Sequence, residues 1–348
     1  MRKEVLFAIV AGGLVGLIIA FGVWRANKAI SSKPAEKIAV EATPEEQATA
    51  TPKPETGLVI ASPEDQTVIV ETPVTISGLS RSNSIIAILG EEKDYVIQNE
   101  SNGEFKVDLD LVPGVNQIKI ISFDKDGQKT EKNLNLVYSS EFSKTSATGS
   151  PPPSPAVTGA DSVREKVKEK VEEKLKNPKA YIGTITDITA TTVQIRSSAG
   201  EIQQVSVDKD LTTFIEIDKN KVSKEVKFTD LAIGDFIVAM GYKNGNEVLA
   251  ARRVIITPVI KLTERTAVYG TVLTNAKNKI TTKNTGSQNV TTIEPDNPVN
   301  ITEDANATVV KIKLTRISEG NVIVAIGTTT GTSFLARRIH VLSPTSNP

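Results

Sequence analysis

The chain has 348 residues, enough for two or three ordinary domains, and its aromatic content of 4% is lean for one large core. Lys and Arg number 41 and so do Asp and Glu, which argues against a nucleic-acid-binding function because such proteins normally carry a basic excess. The sequence has no cysteine, so disulfides, thiolate metal ligands and cysteine nucleophiles are excluded.

The chain begins with a long apolar run. Val5–Trp24 contain no charged residue, and at about 1.5 Å per residue they match the roughly 30 Å hydrocarbon core of a bilayer. Basic residues flank the run at Arg2, Lys3 and Arg25. The pattern predicts a single transmembrane anchor over residues 1–25, with the short tail inside and the bulk of the chain outside the cytoplasm.

The alternative for this run is a cleaved signal peptide. Ala20 and Gly22 are small residues at a spacing that a signal peptidase accepts. The apolar run is longer than the usual signal core, which favours the uncleaved anchor.

Two linkers separate the predicted folded parts. Residues 26–56 and 139–162 are rich in Pro, Ala, Ser and Thr without apolar periodicity, and we expect both to be disordered. A charged helix is predicted over residues 163–177, with Ser162 as its N-cap. The last residues, 344–348, form a polar tail.

Residues 57–138 read as a β-sandwich. Short β-rich runs alternate with turn residues every eight to twelve positions, and Phe105, Val107 and Leu109 alternate with charged residues. The runs Val74–Gly78 and Leu111–Ile120 resemble the bacterial immunoglobulin-like modules of the glucodextranase-B type. The resemblance implies an immunoglobulin-like fold that serves as a spacer, an adhesion unit or an enzyme accessory.

The rest of the chain contains a repeat with a period of about 86 residues. Three segments recur: Tyr181–Thr186 as Val268–Leu273, Leu231–Gly241 as Ile317–Gly327, and Leu249–Val254 as Phe334–Ile339. Each copy, 178–257 and 258–343, is predicted to form a small β-barrel of about six short strands. The copies resemble small uncharacterised barrel repeats that are common in exported or anchored bacterial proteins.

Glycines and one substitution mark corresponding places in the two copies. We expect tight turns at Gly234 and Gly320, and a bend or bulge at Gly241 and Gly327. The second copy departs from the first, because it has Asn321 where the first has Asp, and a Thr/Asn/Pro-rich stretch replaces its charged middle.

Two groups of residues are the most site-like. The pairs Arg252-Arg253 and Arg337-Arg338 recur within strands, where ion pairs that close the barrel explain them better than an anion site. The single histidine, His340, is expected on the surface of the final strand, since no second histidine or nucleophile motif supports catalysis.

The other candidate groups have ordinary explanations. Asp108/Asp110 and Asp208/Asp210 are expected on solvated faces or in turns. Asp124–Gly127 begins like a calcium loop, but Lys129 occupies the required glycine position, so a hairpin turn is the better interpretation, with weak surface calcium left open. Glycosylation sequons at Asn99, Asn289, Asn300 and Asn306 matter only in a glycosylating host.

The sequence thus predicts a mainly β protein with a transmembrane helix, a sandwich and two barrels. No catalytic, cofactor or metal site is predicted. We hypothesise a membrane-anchored structural or binding protein of the bacterial cell envelope, with a protein or polysaccharide ligand of unknown identity. The alternative, a polysaccharide-binding accessory protein, is weakened because Tyr181, Tyr242 and Tyr269 are the only tyrosines in the repeats.

Overall fold

The structure is a computed structural model that describes residues 57–142, 177–244, 246–260, 264–305, 308–331 and 333–342. These residues are mainly β, as predicted. The predicted anchor (1–25), the first linker (26–56), nearly all of the second linker and of the charged helix, and the tail lie outside them. Among the described residues, no helix is long and apolar enough to cross a membrane.

The strands fall into three groups along the chain. The first group is β1 (Leu58–Ser62), β2 (Thr67–Ile69), β3 (Val74–Ser80), β4 (Ile85–Leu89), β5 (Asp94–Gln98), β6 (Glu104–Leu109), β7 (Gly114–Phe123) and β8 (Lys129–Tyr138). The second is β9 (Lys179–Ile188), β10 (Thr192–Arg196), β11 (Ile202–Val207), β12 (Thr213–Ile217), β13 (Ser223–Val226), β14 (Phe236–Lys243) and β15 (Leu249–Ile256). The third is β16 (Arg265–Ala276), β17 (Lys279–Asn284), β18 (Val290–Ala305), β19 (Thr308–Lys311), β20 (Val322–Thr330) and β21 (Ser333–Leu342). Two short 3-10 helices, Phe228–Asp230 and Leu314–Arg316, precede β14 and β20.

The first group forms a sandwich of two sheets. One sheet has the order β1-β3-β6 and the other β2-β8-β7-β4-β5, with an apolar core between them. The predicted alternation in β6 is confirmed: Phe105, Val107 and Leu109 are buried, whereas Lys106 and Asp108 face solvent. This alternation is what a sheet with one packed and one open face requires.

The second group closes into a five-stranded barrel. Its order is β9-β10-β11-β15-β14, and β14 pairs with β9 to complete the ring. The hairpin of β12 and β13 extends from β15. Closure by backbone pairing leaves no free edge on the ring itself.

The third group repeats this order as β16-β17-β18-β21-β20, closed by pairing of β20 with β16. Here one long strand, β18, takes the positions of both β11 and β12. Its register with β21 shifts between Pro295 and Asn300. The second copy therefore keeps the barrel despite its Thr/Asn/Pro-rich stretch, because one continuous strand makes the same pairings.

The predicted glycine positions are confirmed in both barrels. Gly234 and Gly320 have φ of +99° and +84°, in the left-handed region that favours glycine. Asn321 replaces aspartate without loss, since its side-chain oxygen accepts the Ser318 amide at 2.7 Å just as Asp235 accepts the Ala232 amide at 2.8 Å.

The bulges also lie where the sequence places them. The pairing register shifts between Met240 and Gly241 and again between Ile326 and Gly327. A Cβ at Gly241 would collide with the backbone oxygen of Ala250, and the equivalent collision exists at Gly327. Both bulges therefore depend on glycine.

Candidate functional site

Both barrels pack against the outer face of the five-stranded sandwich sheet. One apolar cluster joins β2 and β8 to the first barrel, and another joins β4, β5 and β7 to the second. The barrel residues in these clusters correspond through the repeat: Ala180, Ile182, Val238 and Met240 in the first barrel, and Ala267, Tyr269, Val324 and Ile326 in the second. The two copies thus use the same face, which we call the docking face, on two halves of one sheet.

The first docking interface continues the sandwich sheet into the barrel. The Val68 amide donates to the Pro178 carbonyl at 2.9 Å, and the Ala180 amide donates to the Gln66 carbonyl at 2.7 Å. Beside this pairing, the Phe142 and Tyr242 rings lie 5.9 Å apart. The first interface is therefore held mainly by backbone hydrogen bonds and apolar contact, with one ion pair between Lys179 and Glu64.

The second docking interface is held by charged side chains as well as by apolar contact. Arg337 donates from Nε to Asp94 Oδ2 at 2.9 Å and from Nη2 to the Gly90 carbonyl at 3.0 Å. Arg265 also donates to the Gly90 carbonyl, and its Nη1 lies 3.7 Å from Asp94 Oδ1. Asp94 is only 4% exposed, so two arginines of the barrel neutralise one buried carboxylate of the sandwich.

This arrangement corrects the prediction for the arginine pairs. Arg337 was expected to close its own barrel, but its ion-pair partner belongs to the sandwich. The barrel closes through backbone pairing of β16 with β20 and needs no ionic seam.

The prediction for His340 was wrong. Its side chain is 1% exposed rather than on the surface. The alternation itself was correct, because Ile339 and Val341 point into the barrel core and His340 points the other way. His340 pairs in register with Val324 of β20, and its side chain contacts Thr302 and Asp304 of β18.

His340 belongs to a chain of polar side chains. Arg338 Nη2 donates to Thr302 Oγ1 at 3.2 Å, and Thr302 Oγ1 lies 2.8 Å from His340 Nδ1. His340 Nε2 lies 3.2 Å from Asp304 Oδ1. Arginine only donates, so Thr302 Oγ1 accepts from Arg338, and its hydroxyl hydrogen remains available for Nδ1 of a ring that is protonated at Nε2.

Burial lowers the pKa of His340, and the positive charge of Arg338 lowers it further, while Asp304 acts in the opposite direction. The direction of this pKa shift favours the neutral form of the ring. A hydroxyl, an imidazole and a carboxylate occur together here, but Thr302 is 4% exposed and lies inside the network rather than on a surface that a substrate reaches.

A groove of about 420 Å³ opens beside this network, between the β4–β5 turn of the sandwich and the second barrel. We call it the junction groove. Its ionic lining residues are Glu92, Lys93, Asp94, Lys311, Arg337 and Arg338. Four are cations and two are carboxylates, and Asp94 is already occupied by arginine. The junction groove is the candidate functional site.

The predicted acidic pairs do not contribute to this site. Asp108 accepts a hydrogen bond from Thr75 at 2.6 Å on the open face of the sandwich, and Asp208 accepts the Asp210 amide at 2.9 Å in a turn. Asp124 accepts the Gln128 amide at 2.8 Å, as expected of a hairpin turn. Within the described ranges, no three potential metal-ligating side chains form a group.

The sequons and tyrosines also have structural places. Asn99 is 5% exposed and its side chain holds the turn beside β4, so it cannot carry a glycan. Tyr181 is buried in the first barrel, and Tyr269 stacks 5.5 Å from Phe123 in the second docking interface. Tyr181, Tyr242 and Tyr269 therefore serve packing. Asn306 lies outside the described residues.

Two residues of the site were not predicted from the sequence. Asp94 pairs with the arginines of the second interface, and Thr302 joins Arg338 to His340 within the barrel, yet neither residue has a local motif. A usable signal did exist for the docking face: β14 and β20 begin with unbroken apolar runs, which are typical of strands buried on both faces.

No family model matches the chain, and no curated protein matches it. Among solved structures, it is similar to a tetra-tandem repeat in the extending region of a large adhesion protein, with 12% identity, a TM-score of 0.21 and coverage of 82% of this chain and 73% of that one. It is also similar to a Ca²⁺-stabilised adhesin by which an Antarctic bacterium binds ice, with 13% identity, a TM-score of 0.16 and coverage of 81% and 73%. At these TM-scores the likeness does not amount to a shared fold.

Proposed function

We propose that the chain is a membrane-anchored structural and binding protein of the bacterial cell envelope, in which an immunoglobulin-like sandwich and two barrels form one non-catalytic head. The anchor is the uncharged run Val5–Trp24, and the Pro/Thr-rich segment after it serves as a stalk. The role is adhesion-like: the head holds a binding surface at a distance from the membrane.

One observation carries this proposal: both barrels dock through equivalent residues on a single sheet. Modules joined only by flexible linkers would leave these apolar faces exposed to solvent. Here, Val238 and Val324 are instead both buried against the sandwich. All described residues also fall within one compact unit. A head of this kind suits the transmission of load and the fixed presentation of a ligand site.

The cooperativity of the head can be tested by denaturant unfolding of the full chain, with hydrogen exchange followed separately in the three modules. We expect the sandwich and the barrels to lose protection in one transition, because each barrel shares an apolar cluster with the sandwich. Three separated transitions with unrelated midpoints would contradict the proposal.

The location of the head can be tested by protease treatment of intact cells. We expect residues 57–342 to be cut, or removed at the stalk, while a cytoplasmic marker survives. Survival of the head under conditions that digest a known exterior protein would show that the chain does not face outward.

A further inference from the structure

Arg338 is a buried cation whose hydrogen-bonding capacity is largely unused. It is 7% exposed, and a guanidinium offers five N–H donors. Among the described residues, Thr302 is the one partner found for its hydrogen bonds, and its Nε is buried with no acceptor. None of the described ion pairs includes Arg338, although the charge of Asp94 opposes the lowering of its pKa by burial.

The repeat supplies an internal comparison for this position. Arg253 is the equivalent residue of the first barrel, and it likewise lies on the docking face opposite Met240. There, Glu141 from the end of the sandwich lies near enough for its negative charge to stabilise the charged form of Arg253 and to oppose the lowering of its pKa by burial. The two positions are therefore alike in these respects: each arginine has one carboxylate near enough to affect its pKa, and the Nε of each is buried without an acceptor.

In the second copy, the same arginine lines the junction groove. Lys311 and Lys93 also line the groove, and the carboxylates beside them are Glu92 and the already paired Asp94. The volume of about 420 Å³ lies within the range of roughly 300–1,000 Å³ that is typical of small-ligand sites.

We propose that the junction groove binds a small organic carboxylate, with Arg338 and Lys311 as its main contacts. A carboxylate is favoured over a phosphate because the local precedents, Glu141 and Asp94, are both carboxylates and because the excess positive charge is small. A planar carboxylate also matches the fork of an arginine whose donors are free.

The proposal gives the binding role proposed above a ligand class, and it rests on that role for its biological meaning. The site itself is tested on the purified chain, without reference to location. If the groove binds no carboxylate, the sandwich and the barrels still unfold together. If the modules are not docked, they unfold in separate transitions, which is measured independently of ligand binding.

The experiment is a calorimetric titration of the full chain with D-glucuronate. D-Glucose is the neutral control, inorganic phosphate is the competing anion, and polygalacturonate distinguishes a carboxylate within a polymer from a free one. Each probe is also titrated into R338Q, K311Q and the matched variant R253Q, in which the equivalent arginine of the first barrel is changed. R338K retains the charge and controls for misfolding.

We expect glucuronate to bind and glucose not to bind. R338Q weakens glucuronate binding at least tenfold, and K311Q weakens it severalfold without a change in stability because Lys311 is exposed. R253Q retains wild-type affinity. Tighter binding of polygalacturonate per carboxylate identifies a polymeric source, and equal binding identifies a free acid.

Three outcomes would overturn the proposal: glucuronate binds no better than glucose, phosphate binds while glucuronate does not, or R253Q loses as much affinity as R338Q. If R338Q fails to fold, unchanged glucuronate affinity in K311Q and R338K together would also overturn it.

Discussion

The two docking interfaces use the same face of a repeated barrel but different chemistry. In the first, Ile215 and Ile255 are neighbours on β12 and β15; in the second, the equivalent pair is Thr302 and His340. The first interface adds backbone pairing with the sandwich, and the second adds arginines around Asp94. Duplication preserved the geometry of docking, while the polar content of each interface diverged.

The difference teaches that a repeated barrel can exchange an apolar pair for a polar network at equivalent positions, even where one member, Arg338, keeps a buried Nε without an acceptor. The Arg338–Thr302–His340–Asp304 chain supplies partners for groups that would otherwise be costly to bury. The second interface should therefore respond more strongly to charge removal and to pH than the first.

The largest expected effect comes from D94N. The change removes the charge that Arg265 and Arg337 share inside the second interface, and Arg265 is 7% exposed. We expect a loss of about 3 kcal/mol in the free energy of unfolding, measured by denaturant titration, because the buried Arg265 keeps only Glu91, 3.5 Å from its Nη2, of its two described carboxylate partners. D110N, on the exposed face of the sandwich, serves as the control. Equal small changes in both variants would show that the arginines do not depend on Asp94.

The next effect compares equivalent apolar residues of the two docking faces. Met240 and Ile326 are both fully buried. M240A and I326A should each cost about 2–4 kcal/mol, because each deletes buried methylene groups and leaves a cavity. Hydrogen exchange should show loosening of the first interface in M240A and of the second in I326A. Loosening of the same interface in both variants would contradict the separate docking of the two barrels.

A smaller effect concerns pH. The folded-state pKa of His340 lies below its ordinary value of 6.5, so the unfolded chain binds the proton more readily. This contribution leaves stability unchanged above about pH 6.5 and lowers it progressively as the pH falls below that value. The double variant T302I/H340I copies the first interface and should remove that part of the pH dependence. Unfolding midpoints at pH 7.5 and pH 5.5 check this; the same slope in wild type and double variant would contradict it.

The smallest effect should come from E64Q in the first interface. Glu64 pairs with Lys179 at 2.6 Å, and Lys179 holds the pKa of the carboxyl below its ordinary value, but the Glu64 side chain is 77% exposed. Solvent screens such a pair, so the free energy of unfolding should fall by only about 0.5 kcal/mol. A loss as large as that of D94N would mean that the first interface is as ionic as the second.

Local patterns in the sequence predicted the local structure. Alternation placed Phe105 in the sandwich core and His340 opposite the barrel core, and the recurring glycines marked the turns and bulges. These features depend on neighbours within a few residues, which a single sequence displays directly.

The sequence alone could not show which module packs against the outer face of a barrel strand. Arg337 meets Asp94 across 243 positions, and neither residue has a local motif that names the other. The prediction for His340 failed for a related reason, since its partner Thr302 lies 38 positions away on another strand. The apolar runs of β14 and β20 indicated coverage of both faces but not by which module.

With both barrels seated on one sheet of the sandwich, its other sheet is left open to solvent. The outward residues of β6, which include Lys106, are exposed and belong to neither docking cluster. Because the chain contains no cysteine, a K106C variant would carry a single thiol. Coupling through that thiol would fix the molecule to a sensor surface or a fluorophore in one orientation, with the junction groove unobstructed.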